Sequence, residues 1–505
     1  MNYPALLSFV CGFASLSLEI LWVRLYSFAK LSTPAAFGFV LLAYLLGIAL
    51  GAHGGARACR RAPGDARLWY YSIVALLLSA LTSLALPALF GWMTANGLQN
   101  PILDILTIAV ASSALAFVFP IAHHLGTRQL LERQGHRFAL VYTSNVTGAA
   151  LGPLVTGYIL LEHLSLQQSF LVISIAQLAA AIFFALAIRG TPRRMAMAGA
   201  GVALAGVVAL SGAGLDPHVL VQNLNQTGER ATKVIENRHG IITLFEGKNG
   251  DDAVYGGNVY DGRTNLSPER NTNGLQRPLL MAALQPQPRR VLMVGLSIGT
   301  WLALVNEFPG VEQVDVVEIN PGYLSAAQAY PLQARALKDP RVNVVVDDAR
   351  RWLRHQPERR YDLIIMNTTW HWRSSISLLL STEFLQLMKS HMTLGAVLSF
   401  NATGSGDAFL TASKVFAHAY RYGNFVYAAD FDFRGRKDTV ASRDLYRGLR
   451  LFDKPLFASP STTIDRFLLQ PFITLDTAQR AYERPFEVIT DHNMITEFKY
   501  GRTLY

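Results

Sequence analysis

The chain has 505 residues, enough for two or three domains, and a formal net charge of +10 at pH 7. Hydrophobic residues make up 51% of it and the mean hydropathy is +0.25, which excludes an ordinary soluble composition. Residues 1–215 hold only 12 of the 45 Lys and Arg and 5 of the 35 Asp and Glu. An apolar front therefore precedes a water-soluble back, and without a basic stripe interleaved with aromatic residues the charge does not predict nucleic-acid binding.

The front contains seven apolar segments, each about 18–25 residues long. At about 1.5 Å per helical residue, each is long enough to cross a bilayer core of roughly 30 Å. We therefore predict a helical transmembrane domain over residues 1–215 and the lipid bilayer as a partner. The segments are Pro4–Phe28, Pro34–Gly51, Trp69–Phe90, Ile102–Ile121, Phe138–Leu161, Leu166–Ile188 and Met195–Leu215.

Ten arginines fall in three clusters, at 57–67, 128–137 and 189–194, while the loops at 91–100 and 162–165 have neither Lys nor Arg. The positive-inside rule places the clusters and the amino terminus in the cytoplasm of a bacterial-type inner membrane. Seven crossings would then put the soluble part outside, or in the periplasm. The seventh segment, Met195–Leu215, is weak because it is rich in Gly and Ala. We therefore expect it to be re-entrant or to lie against the bundle, which leaves the soluble domain in the cytoplasm.

Glu19 lies near the middle of the first apolar segment, where a carboxylate is costly and is by default a functional candidate. The alternative is structural pairing with Arg24 or Asn145. Asp104 starts its segment and is expected at the membrane interface. The two cysteines, Cys11 and Cys59, define neither a disulfide framework nor a metal site.

The soluble back begins with a linker and a small β-hairpin subdomain, predicted over 216–288. Thr232–Phe245 and Ala253–Tyr260 alternate like strands on either side of the polar turn GKNGDD, and the sequence QPQP at 285–288 marks the end of the subdomain. A Rossmann-like domain is predicted over 289–505, because strand and helix patterns then alternate as in a doubly wound α/β sheet.

The core of that domain is Arg289–Asn320, which reads as strand, glycine turn, helix and strand. Val291–Val294 and Val314–Val317 are apolar runs typical of a buried parallel sheet. Gly295 and Gly299 bracket the turn, and Glu318 ends the second strand. An acid about twenty residues after a glycine turn is the Rossmann arrangement for a ribose diol, although GLSIGT departs from G-x-G-x-x-G. A βαβ crossover without a ligand is the alternative.

Further strands are predicted at Val342–Val346, Tyr361–Asn367, Ala396–Asn401 and Phe425–Ala429. Ligands bind such sheets at the carboxyl ends of the strands. Those ends are Gly295, Glu318, Asp348 and Asn367. The intervening helices are predicted at 349–355, 382–392 and 407–420.

In its order of motifs, nearly the whole chain resembles the membrane-fused spermidine synthase-like (polyamine aminopropyltransferase-like) family. The front motifs are GFASLSLEILWVR (12–24), LLGIALGA (45–52) and TSNVTGAALGPLVTGYILL (143–161). The back motifs are YDG (260–262), VLMVGLSIG (291–299), VVEIN (316–320), VVVDDA (344–349), YDLIIMN (361–367), LLSTEF (379–384) and ITDHNMITEF (489–498).

The resemblance implies an aminopropyltransferase- or methyltransferase-type Rossmann domain that binds an adenosyl donor. Glu318 falls where the family's acid holds the ribose diol, and Asp348 where a carboxylate accepts from the adenine amino group. Asn265 falls near a glutamine that contacts the adenosyl group, and Gly295 and Gly299 form the turn. The implied co-substrate is S-adenosylmethionine, its decarboxylated form or methylthioadenosine, with no metal.

The aminopropyl-transfer half of the family pattern is missing. The aspartate of the family's glycine turn, which helps bind the aminopropyl ammonium, is Ile298 here. The two acids of the D-S-x-D-P run are Asn367 and Trp370, and the acceptor-side Tyr-His pair falls near Leu275 and Gln276. An attacking amine must lose a proton, and Asn367 cannot accept one. Intact S-adenosylmethionine or methylthioadenosine would therefore suit the site better than the decarboxylated donor.

His371, in the loop WHWRSS, is the nearby group that could act as a base in place of Asn367. Trp370 and Trp372 beside it could shield a sulfonium through cation–π contact. A hydrogen-bonded loop histidine and packed tryptophans are the alternative interpretations.

The leading functional hypothesis is a membrane-bound transferase that uses an S-adenosyl-type donor to alkylate an unidentified acceptor. The alternatives are a catalytically silent nucleoside-binding sensor or transporter-associated protein, and a methyltransferase. A second copy of the chain is a further candidate partner.

Overall fold

The computed structural model describes residues 2–62, 64–127, 134–188, 193–211 and 216–505. The chain divides into two compact units. The helical unit comprises Met1–Arg230, Glu236–Arg238 and Leu504–Tyr505, and the α/β unit comprises Ala231–Ile235 and His239–Thr503. Residues 216–230 thus belong to the helical unit, and the predicted hairpin subdomain and Rossmann domain lie in one unit. The predicted boundaries at 215 and 288 differ from this division.

Long helices make up most of the helical unit. Among the described residues, six are long and apolar enough to cross a membrane, which agrees with the first six predicted segments, while their insertion in a bilayer stays a prediction. A π-helical segment, Thr156–Leu160, joins α5 to α6. The helices are α1 Tyr3–Ala29, α2 Pro34–Arg61, α3 Asp65–Ala95, α4 Pro101–Thr127, α5 Gln134–Val155, α6 Leu161–His163, α7 Leu166–Ala187, α8 Arg193–Ser211 and α9 Val219–Leu224.

Glycines let α2 pack closely against α4. Gly47, Gly51 and Gly55 recur every four residues and so lie on one face of α2. A methyl group added at Gly51 would lie 2.1 Å from the Ser113 carbonyl oxygen, and one at Gly55 would lie 2.1 Å from that of Phe117. This is the small-residue packing typical of transmembrane helices.

The polar residues of the first segment do not pair as predicted. Arg24 donates to the backbone carbonyl of Asn237, at 2.5 Å, and Asn145 donates to that of Ser8, at 2.9 Å. Neither therefore serves Glu19, which is half-buried. The side chain of Asp104 is fully buried, 3.7 Å from the Lys30 ammonium, and it accepts a hydrogen bond from Tyr505. Its position at the membrane interface stays a prediction.

Helix α8 covers the described part of the seventh segment, since residues 212–215 lie outside the described residues. It packs along α3 and α7. Gly199 faces Leu77 and Gly206 faces Leu81, so α8 runs in the same direction as α3. The segment is thus a helix packed along the bundle; the structure does not show it as re-entrant.

The predicted hairpin region forms a four-stranded sheet in the order β1-β2-β3-β4. Its strands are β1 Lys233–Asn237, β2 Gly240–Phe245, β3 Ala253–Gly256 and β4 Val259–Arg263. Each of the two predicted strands is therefore a pair. The second breaks at Gly257 and Asn258, whose φ angles of +57° and +67° form a tight turn.

The α/β unit is built on a seven-stranded sheet in the order β10-β11-β9-β8-β5-β6-β7. Strands β5 to β9 are parallel, while β11 is antiparallel to both β9 and β10. The predicted doubly wound α/β domain is confirmed, as a mixed sheet. The strands are β5 Arg290–Val294, β6 Gln313–Glu318, β7 Val342–Val346, β8 Tyr361–Met366, β9 Met392–Asn401, β10 His418–Tyr422 and β11 Phe425–Ala429, with a separate pair β12 Arg450–Leu451 and β13 Lys454–Pro455.

Helices cover both faces of this sheet, and each face carries its own apolar core. The helices are α10 Gln276–Leu284, α11 Thr300–Val305, α12 Gly322–Ala327, α13 Pro331–Leu337, α14 Ala349–Arg354, α15 Ser377–Leu380, α16 Thr382–Ser390, α17 Gly406–Val415, α18 Arg434–Lys437, α19 Val440–Gly448, α20 Thr462–Leu469, α21 Leu475–Arg480 and α22 Ile495–Phe498. The helix predicted over 407–420 was too long, because His418–Tyr422 pairs with β11.

Candidate functional site

The site begins at the turn between β5 and α11, whose backbone requires glycine. Gly295 has a φ of +87° and Gly299 a φ of +78°, a region that side chains disfavour. A methyl group at Gly295 would also lie 2.6 Å from the Asn367 carbonyl oxygen. The turn therefore passes close to the end of β8, as the strand-end prediction required.

Glu318, at the end of β6, holds the same turn. Its Oε2 accepts from the Leu296 amide and its Oε1 from the Asn320 amide, both at 2.8 Å. The residue is only 4% exposed, and burial raises the pKa of its carboxyl to about 7. The backbone bonds oppose that rise because they favour the ionised form. Glu318, which is predicted to bind the ribose hydroxyls, is thus a buried carboxyl group that changes between its protonated and ionised forms near neutral pH.

Beside the turn lies a cavity of about 190 Å³. Asn367, Ile298 and Trp370, the positions at which the sequence resemblance predicted acids, all line it. Pockets that enclose drug-sized ligands measure about 300–1,000 Å³, so this cavity fits a small group and not a whole nucleoside. Its other lining residues are Tyr260, Asp261, Gly262, Asn273, Arg277, Leu296, Ser297, Thr300, Trp301, Thr368, Thr369, Asn401, Thr403 and Asn424.

Asp261 supplies the carboxylate of the cavity lining. Burial raises its pKa, while a hydrogen bond from the Tyr323 hydroxyl and the charge of Arg373 act in the opposite direction. Gly256 makes room for this contact, because a methyl group there would lie 2.1 Å from the Tyr323 hydroxyl oxygen. Asp261 can therefore bind an ammonium or accept a proton.

Arg277 supplies the positive charge. Its Nε and Nη2 donate to the carbonyl oxygens of Gly274 and Asn273, each at 2.9 Å, and its Nη1 donates to the Asn424 amide oxygen at 3.3 Å. Its guanidinium also lies 5.1 Å from the centre of the Trp301 ring. A cationic side chain is thus fixed at the cavity wall by neutral groups.

His371 stands just behind the cavity. Its Nδ1 lies 2.6 Å from the hydroxyl of Thr403, which does line the cavity. Burial lowers the pKa of the imidazole, so the neutral form prevails at pH 7 and can accept a proton. The structure therefore places His371 one hydroxyl away from the cavity. Trp370 lines the cavity, while the Trp372 ring faces Arg502.

The other two predicted nucleoside ligands have local partners. Asp348 caps α14, and its Oδ1 accepts from the Arg351 amide at 2.8 Å. Asn265 is buried and donates to Thr272 Oγ1 and to the Ser267 carbonyl, while its own oxygen accepts from the Ser267 amide. Asn265 does not line the cavity, and its contact with the adenosyl group stays a prediction.

The sequence prediction did not include Arg277, Asn401 or Asn424. The motif YDG at 260–262 was a usable signal for Asp261, since it places an acid within a strand next to a glycine. The arginine gave no comparable signal. As for metals, no group of three His, Cys, Asp or Glu side chains suited to an ion occurs in the parts of the chain that the structure describes, and the expectation of metal-free chemistry stays a prediction.

Comparison with known proteins identifies one region by family. Residues 280–421 match the model of the spermine/spermidine synthase domain. A polyamine aminopropyltransferase of Mycobacterium tuberculosis is 26% identical over 278 residues, which cover 53% of this chain and 52% of that protein. A polyamine aminopropyltransferase of Alkalilimnicola ehrlichii is 36% identical over 85 residues, covering 17% of this chain and 30% of that protein.

The chain spans about half the length of the first of these relatives. Among solved structures, a spermidine synthase in complex with the transition-state analogue AdoDATO matches with a TM-score of 0.38 and 17% identity, over 51% of this chain and 86% of that one. The resemblance to spermidine synthases is confirmed over residues 280–421, whereas fusion to a membrane domain is not tested by these matches.

Proposed function

We propose that the chain is a membrane-bound transferase that alkylates an acceptor with an S-adenosyl-type donor. The match of residues 280–421 to the spermine/spermidine synthase domain model supports this proposal. One observation carries the proposal. The buried Glu318 carboxylate and the glycine turn lie directly beside a cavity that contains both a carboxylate and a guanidinium. A nucleoside held at the turn would present its sulfur substituent to that cavity.

The reaction proposed is a substitution at the carbon next to the donor's sulfonium. The lone pair of the acceptor forms the new bond, the carbon–sulfur bond breaks, and its electron pair neutralises the sulfur as a thioether. The acceptor's proton must leave, and Asp261 is the carboxylate of the cavity lining that can take it. His371 reaches the cavity through the Thr403 hydroxyl and is the second candidate base.

The donor is proposed to be intact S-adenosylmethionine or a related sulfonium; a thioether such as methylthioadenosine has no sulfonium to displace and would bind as product or ligand. An ammonium near Ile298 and Asn367 would meet neutral side chains, and burying it unpaired costs several kcal/mol. Asp261 supplies a carboxylate on another wall of the cavity. This arrangement differs from the two-acid pattern that the sequence comparison expected at 298 and 367.

The six long apolar helices support membrane insertion of the helical unit. The side of the membrane that the α/β unit occupies is a separate proposal. We place it outside the cytoplasm, against the sequence expectation, because α8 runs in the same direction as α3. Association of two copies stays a prediction.

That placement favours a second candidate function, the nucleoside-binding sensor or transporter-associated protein. A domain outside the cytoplasm does not meet donors made in the cytosol unless they cross the membrane. The methyltransferase alternative uses the same donor but transfers a different carbon, and Asp261 suits an ammonium acceptor in either case.

Turnover separates these functions. Full-length protein in detergent is incubated with S-adenosylmethionine or its decarboxylated form and a cell extract, and nucleoside products are followed by mass spectrometry. A transferase accumulates a thioether nucleoside, methylthioadenosine or S-adenosylhomocysteine according to the carbon transferred. Ligand binding without any product over many hours would support the sensor and refute the transferase.

A further inference from the structure

The two charged groups of the cavity point to the class of one substrate. Asp261 and Arg277 both line the cavity of about 190 Å³, and they are carried by different parts of the fold, β4 and α10. In the described residues no carboxylate pairs with Arg277. Burial lowers the pKa of its guanidinium, and the neighbouring groups that oppose this are the hydroxyls of Tyr427 and Tyr260. Burial raises the pKa of Asp261, and the guanidinium that opposes this rise is that of Arg373, not that of Arg277.

Arg277 also has unused hydrogen-bonding capacity. A guanidinium carries five N–H groups, and three of them donate to Gly274, Asn273 and Asn424. One N–H on each terminal nitrogen therefore has no acceptor among the described residues. Two such groups form the fork that binds a carboxylate through both oxygens.

A cationic substrate does not explain this arrangement. A polyamine or an aminopropyl group brings only positive charge, which Arg277 would repel in an enclosed site. A small zwitterionic group brings an ammonium for Asp261 and a carboxylate for Arg277. The volume of the cavity suits such a group.

We propose that the cavity binds an α- or ω-amino-acid group of a substrate, with its carboxylate on Arg277 and its ammonium towards Asp261. This inference rests on the proposed transferase function and names the substrate class for it. The group has two sources, the methionyl end of intact S-adenosylmethionine or an amino-acid acceptor, and the same contacts serve either.

Two matched ligand pairs distinguish the sources. S-adenosylmethionine and its decarboxylated form differ by the donor carboxylate, and 4-aminobutyrate and putrescine differ at one end of an otherwise similar chain. Calorimetry with the full-length protein in detergent measures all four affinities. The proposal expects the wild-type protein to prefer the carboxylate member of at least one pair, and that pair identifies the source.

Variants test the residue. Arg277→Gln should weaken the preferred carboxylate ligand by about 10- to 100-fold, the loss expected for hydrogen bonds to a charged group. The affinity of the other ligand of the pair, which lacks the carboxylate, should stay the same or rise, because the repelling guanidinium is gone. Arg277→Lys should retain part of the preference because it keeps the charge and loses the fork. Arg289→Gln, an exposed arginine paired with Glu312, is the matched control and should change nothing.

The proposal is overturned if the wild-type protein prefers neither carboxylate ligand, a result that needs no variant and so does not depend on Arg277→Gln folding. It is also overturned if a folded Arg277→Gln protein keeps the preference. Methylthioadenosine, which lacks both charges, separates this failure from that of the proposed function. If it binds and Arg277 has no effect, only the substrate class is wrong; if it does not bind, the nucleoside site itself is refuted.

Discussion

At the scale of single residues, Glu318 decides how a nucleoside would bind. Its carboxylate already accepts two backbone N–H bonds, and each oxygen has a further lone pair for a ribose hydroxyl. Those hydroxyls are donors, so they bind the ionised form better than the protonated form. Glu318 therefore links ligand binding to pH.

Donor affinity should rise with pH. In the ligand-free protein the pKa of Glu318 is raised to about 7 from its ordinary 4.5, so its contribution to stability is present at low pH and is lost as pH rises through about 7. Binding reverses this preference, since it requires the carboxylate. We expect methylthioadenosine to bind more tightly at pH 8 than at pH 6, by up to about tenfold per pH unit below the pKa.

Calorimetry at several pH values, in buffers of different ionisation enthalpy, detects the proton released on binding. Glu318→Gln should abolish the dependence and weaken binding by about 1–3 kcal/mol, as for hydrogen bonds to a charged group. Glu312→Gln, at an exposed carboxylate, is the control. A pH-independent affinity in the wild-type protein would show that Glu318 does not hold the ligand.

Asn367 and Ile298 lead to a prediction about the reaction. We expect little or no spermidine from decarboxylated S-adenosylmethionine and putrescine, because a general base contributes about 10²–10⁴-fold to rate and neither residue is ionisable. Asn367→Asp alone should not restore activity, since Ile298 still leaves the donor ammonium unpaired. Chromatography of the polyamine products is the measurement.

Spermidine formation by the unmodified protein, at a rate typical of soluble spermidine synthases, would contradict this expectation. Asp261 would then be the acid that replaces the missing pair, because it lines the cavity. Glu383, another acid of the α/β unit, accepts a hydrogen bond from the Asp491 amide and is not in the cavity lining. If Asp261 has this role, Asp261→Asn should remove the spermidine-forming activity.

At the scale of secondary-structure elements, the crossing of α2 and α4 depends on glycine. Gly51→Ala should destabilise the helical unit by about 1–3 kcal/mol, the usual cost of overpacking, since the added methyl group would lie 2.1 Å from the Ser113 carbonyl oxygen. Gly38 lies on the same helix with nothing within 4 Å of an added methyl group. Gly38→Ala should leave the melting temperature unchanged or slightly higher, because alanine favours helix.

Thermal unfolding of both variants in the same detergent makes the comparison. The pair is informative because the chemical change and the helix are the same and only the neighbouring atoms differ. Equal melting temperatures for Gly51→Ala and Gly38→Ala would mean that α2 and α4 are not in this close contact.

The elements also show what sequence can predict. Val342–Val346 and Phe425–Ala429 were placed correctly because short runs rich in valine and aromatic residues are typical of strands, whether buried like β11 or at the edge of the sheet like β7. The strand His418–Tyr422 was missed, since it follows α17 directly and its polar residues do not alternate clearly. Its pairing with β11, in a hairpin that turns at Gly423 and Asn424, makes it a strand.

The candidate site divides in the same way. Gly295, Gly299 and Glu318 were predictable, because their roles follow from the strand–turn–helix order of one local unit. The adenosyl contact of Asn265 stays a prediction, and its amide already bonds within its own loop, a local competition that the sequence does not reveal. Arg277 became visible only when folding brought α10 and Asn424 to the same cavity.

At the scale of the whole molecule, the direction of α8 bears on membrane topology. Helix α3 starts beside the arginine cluster at 57–67 and ends beside the loop at 96–100, which has neither Lys nor Arg. Since α8 runs in the same direction as α3, the chain leaves it at the arginine-free end. The residues that follow agree, because the Leu220 side chain would lie 3.1 Å from a methyl group at Gly91 and Ser165 donates to the Pro217 carbonyl at 2.8 Å.

By the positive-inside rule, the arginine-free end of the bundle faces away from the cytoplasm. Helix α8 has 19 residues, which at about 1.5 Å each come close to the roughly 30 Å of a bilayer core. We therefore expect seven crossings and an α/β unit outside the cytoplasm. An alkaline phosphatase fused after Tyr505 should be active, and a green fluorescent protein at the same position should be dark.

Fusions after Arg61, between α2 and α3, should give the opposite pattern and serve as the control. Phosphatase inactive at both positions would place the α/β unit in the cytoplasm, and α8 would then be a helix that lies along the bundle without crossing. A donor made in the cytosol would then reach the α/β unit without crossing the membrane. With the expected result, by contrast, a donor made in the cytosol reaches Glu318 only after crossing the membrane, and Glu19, which neither Arg24 nor Asn145 pairs with in the described structure, becomes the first carboxylate to mutate in a search for that path.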